Sequence, residues 1–139
     1  MKTLMLSFLC LGLLGCNENK QAIQGTWKMV YAETVENDSV KIKNLSNTTF
    51  IKIINQDHFA FFNQENHGSD HFYGGAGTYS LKGSTYNETL KFTQVESLKN
   101  HMFSFSVSIK GDTLIQSGLE HVKEAGINRT ITEKYVRVN

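Results

Sequence analysis

Residues 86–92, Tyr-Asn-Glu-Thr-Leu-Lys-Phe, set a carboxylate among apolar side chains. Side chains of a strand alternate with period two, so Tyr86, Glu88, Leu90 and Phe92 share one face and Asn87, Thr89 and Lys91 the other. An acid carried into a core needs donors or a cation, or it must take up a proton. The last apolar segment poses the same question, because Ile131, Glu133, Tyr135 and Arg137 also share a face. Glu133 and Arg137 are four residues apart on one strand, about 13 Å, so they are not natural partners. Tyr86 lies about 6.6 Å from Glu88 along the strand and can reach it. Two readings follow. In one, Glu88, Glu133 and tyrosines 31, 79, 86 and 135 form the polar lining of a ligand site. The ligand is then a small, partly apolar molecule carrying a donor or a positive charge, and apolar walls with a few convergent polar groups suit it. Glu88→Gln then leaves the fold intact and changes ligand affinity. In the other, tyrosine hydroxyls and Arg137 satisfy Glu88 inside a packed core.

Other chemistries find less support. His67, Asp70 and His71 fall within five residues in a glycine-rich connection, but a loop gives such ligands no fixed geometry, and no metal is expected. Two inward glutamates have the residue types of a glycosidase pair, with nothing else in the chain to support that reaction. No nucleophile elbow and no phosphate-binding glycine loop opening a helix is present. Binding without catalysis and without a cofactor is therefore the expectation.

The 139 residues suffice for one domain with a real core. Net charge is +1, without a basic stripe or an aromatic-basic repeat, which argues against nucleic acid as a partner. Residues 1–15 have a basic start and an apolar run too short to span a bilayer, the pattern of a secretory signal. Leu13-Leu14-Gly15-Cys16 resembles the lipobox of bacterial lipoproteins. That resemblance implies cleavage before Cys16, acylation of its thiol, and attachment to a membrane of the cell envelope, the outer membrane being expected. Cys10 would then be lost and Cys16 blocked, so no thiol remains for a disulfide or a nucleophile. Residues 16–24 read as the acylated cysteine and a polar tether, and 25–139 as the folded domain.

From Ile23 onward the apolar pattern has period two, and no stretch keeps helical spacing for three turns. Strands are expected near Gly25–Thr34, Thr48–Asn55, His58–Gln64, Gly75–Leu81, Tyr86–Phe92, Met102–Lys110, Thr113–Gly118 and Arg129–Val138. Short turn sequences such as Lys82-Gly83-Ser84 and Lys110-Gly111-Asp112 join them as hairpins. The segment Glu36–Asn47 reads as irregular, and Glu65–Gly75 and Leu119–Asn128 as loops. Eight such strands roll most simply into a closed antiparallel up-and-down barrel, since closure removes exposed edges. Trp27, Met29 and Tyr31 are expected inside on the first strand, Tyr79 and Leu81 on the fourth, and Phe103, Phe105, Val107 and Ile109 on the sixth. A barrel of eight strands is either filled by its side chains or holds one small ligand. A core filled by Phe59, Phe61, Phe92, Phe103 and Phe105 would favour a module that binds partners through its loops.

Gly25-Thr26-Trp27 on the first strand, the meander, and the ending Glu133-Lys134-Tyr135-Val136-Arg137-Val138 together resemble the lipocalin pattern. The chain is similar to lipocalin-like domains of unknown function in secreted or lipid-anchored bacterial proteins. This resemblance implies that Trp27 lies across the closed end of the barrel with Arg137 packed on it. It brings a fold and no assigned ligand.

Overall fold

The computed structural model describes residues 18–68 and 70–138. Residues 1–15 and Cys16, which carry the signal and lipobox readings, lie outside them. A short helix α1 (Glu18–Ile23) precedes nine strands: β1 (Gly25–Glu36), β2 (Ser39–Ile42), β3 (Thr48–Ile54), β4 (His58–Glu65), β5 (Tyr73–Lys82), β6 (Thr85–Thr93), β7 (Met102–Lys110), β8 (Thr113–Val122) and β9 (Ile127–Val138). Every neighbouring pair is antiparallel, and β1 pairs with β9 from Thr26–Val138 to Val35–Thr130, closing the sheet on itself. The fold is an eight-stranded up-and-down barrel of β1 and β3–β9, with β2 as one extra strand.

The extra strand corrects the irregular reading of Glu36–Asn47. Asn37 and Asp38 both take positive φ, 48° and 60°, which a two-residue hairpin turn of the primed type requires. The chain reverses there, and Ser39–Ile42 pairs with the end of β1 after β3 has parted from it. The expected loop Leu119–Asn128 is likewise mostly strand, because β8 and β9 continue to a tight connection at Lys123–Ala125 closed by Gly126 at φ 66°.

Two irregularities of register decide which side chains enter the barrel. Between Met29 and Tyr31 the pairing of β1 with β9 slips by one residue, with Val30 as the extra one. A bulge reverses the alternation beyond it. Trp27 and Met29 therefore point inward, but after Val30 the buried residue is Ala32, and Tyr31 faces outward. In the same way β6 carries Lys91 as an extra residue opposite Ala76 and Gly77. Leu90 stays inside, whereas Phe92 turns out and is 71% exposed. Phe92 is thus no part of the core. The bulge brings backbones close: a Cβ at Gly77 would collide with the carbonyl oxygen of Thr89. Gly77→Ala is expected to cost about 1–3 kcal/mol, as overpacking usually does. A urea midpoint equal to that of the parent would refute the close approach.

Along β7 the expected alternation holds: Phe105 and Val107 are buried, Phe103 and Ile109 pack partly against the core, and the serines between them are exposed. The dense part of the interior, with Ile23, Trp27, Ile54, Tyr79, Tyr86 and Leu114, occupies the end that α1 covers. Ile23 has no exposed surface, so the segment expected to be a free polar tether is in its last turns a docked plug.

Candidate functional site

Trp27 seals one end of the barrel. Its indole N–H donates to the carbonyl of Ile23 at 2.8 Å, fixing α1 against the barrel. The Arg137 guanidinium lies 4.1 Å from the Trp27 ring centroid and donates to the carbonyls of Gln24 and Ala22 at 2.7 and 2.8 Å. Among the described residues its donor contacts are with α1 and its junction to β1, so Arg137 is not the partner of Glu88. Tyr79 also serves this end. Its hydroxyl donates to the carbonyl of Asn55 at 2.7 Å in the β3–β4 turn, and burial, with the charge of Asp57, raises its pKa.

Lys52 answers the question posed by Glu88. Its ammonium donates to Glu88 Oε1 and, at 2.8 Å, to Gln116 Oε1. Lys52 and Glu88 are both buried and belong to β3 and β6, strands that do not pair, so the contact crosses the interior. The rings of Tyr86, Phe59 and Tyr135 surround the ammonium at 5.0, 5.5 and 6.0 Å, and their faces add attraction for a cation shielded from water. From Gln116 the network runs on: its amide donates to Glu133 Oε2 at 3.4 Å, and the Tyr135 hydroxyl donates to the same oxygen at 2.6 Å. Burial pushes the Glu133 carboxyl up from its ordinary range, opposed by the charge of Lys52 and the hydrogen bond from Tyr135. Tyr135 and Tyr86 are raised too, by burial first and then by Glu133 and Glu88 respectively. The Tyr86 hydroxyl is buried with no hydrogen-bond partner among the described residues.

Above this polar floor is a cavity of about 290 Å³. Phe50, Phe61, Leu90, Phe103, Phe105 and Ile131 form its apolar walls, and Lys52, Glu88, Gln116, Glu133 and Tyr135 its polar surface. The mouth, opposite Trp27, is edged by Val95 and Leu98 of the β6–β7 connection and by Glu120 and Arg129 near the β8–β9 turn. Arg129 Nε donates to Glu120 Oε2 at 2.6 Å. Lys43 reaches Tyr73 at the same end, donating to its hydroxyl at 2.6 Å.

The family described as Domain of unknown function (DUF4488) matches residues 22–139. The chain belongs to this family. No curated protein matches it. Of the residues singled out in the sequence, the DUF4488 barrel gathers Glu88, Glu133, Tyr86 and Tyr135 around one network, while Tyr79 lies with the closed end. Tyr31 is outside: beyond the bulge its hydroxyl donates to Glu33 at 2.7 Å, which raises its pKa, and Lys134 covers its ring at 5.0 Å. In the β4–β5 connection His71 is exposed, 3.9 Å from Glu65, and no cluster of three metal-ligating side chains forms among the described residues. Lys52 and Gln116 escaped the sequence reading. Lys52 alternates with Phe50 and Ile54, the same signal that marks Glu88, but Ile51 and Ile53 make the opposite face equally apolar.

Proposed function

We propose that this protein is a lipid-anchored, lipocalin-like barrel that binds or carries a small amphipathic molecule in its interior, without catalysing a reaction. The observation that supports this reading is the cavity, about 290 Å³ with apolar walls over a polar floor, near the roughly 300 Å³ at which ligand pockets begin. At roughly 30 Å³ for a water-sized group, it accommodates a short amphiphile in preference to a long-chain lipid. The Trp27 end is shut, so a ligand enters by the mouth. In this proposal Cys16 carries the anchor in the bacterial envelope, at the outer membrane. Because α1 covers the closed end, an anchor just ahead of it turns the mouth away from the leaflet that holds it.

Native mass spectrometry of the full chain purified from a bacterial envelope tests the binding. The parent is expected to carry a small bound mass, which Thr93→Trp, placing an indole in the cavity wall, removes. Bare protein in the parent, or the same mass in both, counts against the proposal. A second reading, a partner-binding envelope module, is favoured by Phe72 and Phe92, which lie exposed beside a shallow depression over Gly74, Gly75 and Ala76.

A further inference from the structure

We propose that the cavity selects a small amphiphile whose head group is an ammonium, and that Glu133 receives it. The inference rests on the ligand-binding reading above and names the ligand's charge. Five ionisable residues with formal charges line the cavity: Lys52, Arg129, Glu88, Glu120 and Glu133. Lys52 is paired with Glu88 and Arg129 with Glu120. Glu133 is the acid left over. Its hydrogen bonds come from neutral groups, the Tyr135 hydroxyl and the Gln116 amide, and both end on Oε2. Oε1 accepts none among the described residues, and the side chain remains partly open to the cavity. Among the described residues Glu88 accepts from Lys52 through Oε1, and the Tyr86 hydroxyl lies beside its carboxylate.

A cavity so lined has one more acid than base and vacant acceptor oxygens. An incoming carboxylate or phosphate would meet Glu88 and Glu120 beside the Glu133 carboxyl, with both lining cations already paired and Lys43 held out at the rim on Tyr73, and like charge at low dielectric is strongly unfavourable. An alcohol can donate to Glu133 but brings no charge to hold its carboxylate ionised against the burial that favours protonation. An ammonium supplies both the charge and three donors, and charge-assisted hydrogen bonds are the stronger kind. In the empty barrel, burial favours the protonated form of Glu133. The groups facing it are Lys52 of β3, Glu88 of β6, Gln116 and Glu120 of β8, and Tyr135 of β9, and the one cation among them is held by Glu88. The apolar tail then lies along Phe50, Phe61 and Phe103 toward the mouth.

Calorimetric titration of the full chain with octylammonium, octanol and octanoate, three probes of one tail and near-equal size, tests this. Octylammonium is expected to bind about tenfold or more tighter than octanoate, the worth of one hydrogen bond to a charged group. In Glu133→Gln, which keeps the shape and an acceptor for Tyr135, that preference is expected to fall to about twofold or less, with an unchanged circular dichroism spectrum as the check on folding. Octanoate binding as tightly as octylammonium to the parent overturns the inference without any variant, and so does a preference that survives in Glu133→Gln. Either result leaves the cavity reading standing if octanol binds. Failure of all three probes overturns both.

Discussion

Glu88→Gln is expected to lower the unfolding free energy by about 3–5 kcal/mol, because it strips a buried ammonium of its counter-ion. This differs from the expectation raised by the sequence, in which the same change left the fold intact. The difference is Lys52. Its side chain is 3% exposed and that of Glu88 9%, so neither charge has water to fall back on. Gln116 would still accept one hydrogen bond from the ammonium, but a neutral amide does not balance its charge. The complementary double variant Lys52→Met with Glu88→Gln removes the charge problem at its source. It is expected to recover more than half of the loss, since a buried ion pair replaced by neutral groups of similar volume is often close to neutral in stability. Urea unfolding of the parent, both single variants and the double variant gives the coupling directly. A Glu88→Gln midpoint equal to that of the parent would show that Lys52 and Glu88 do not form a pair inside the barrel.

Trp27→Ala is expected to cost about 3–5 kcal/mol, the usual loss for a large aromatic removed from a core. Trp27 has no exposed surface, and three things depend on it: the apolar seal of the closed end, the acceptor role of the Ile23 carbonyl, and the platform under Arg137. The loss should therefore extend beyond the cavity it creates. Amide hydrogen exchange at Ile23, Gln24 and Gly25 is expected to accelerate together as α1 undocks, while exchange in β6 and β7 follows only the global change. Arg137→Gln, which keeps Trp27 in place, should cost less, about 1–2 kcal/mol of cation–π contact and hydrogen bonding. Equal losses for the two variants would mean that Arg137, and not the indole, holds the closed end.

How much of this was legible can be judged from individual residues. The alternation of Phe103, Phe105, Val107 and Ile109 with serines is a local property of nine consecutive residues, and β7 follows it. The carboxylates were found for the same reason: Glu88 and Glu133 interrupt apolar faces, and both point inward. Tyr31 and Phe92 failed because alternation carries information only as far as the next bulge. Val30 and Lys91 look like ordinary strand residues, and their extra position is set by how β1 must fit β9 and how β6 must fit β5 around Gly77. The segment Ile51–Ile54 gave no reading of its inner face, since both of its faces are apolar enough to be the inner one.

What the sequence determined by itself is the eight strands that close the barrel and their order through short hairpins, and its resemblance implied the Trp27 and Arg137 pairing. The strands and their order rest on periodicity and turn chemistry, which act between residues near in the chain. What only the tertiary structure decided is the partner of each buried charge and the space between them. Lys52 meets Glu88, and Gln116 links them to Glu133, because barrel closure faces β3, β6, β8 and β9 across one interior. Whether that interior is filled or hollow depends on how side chains from all eight strands share it, and no spacing along the chain encodes that sum.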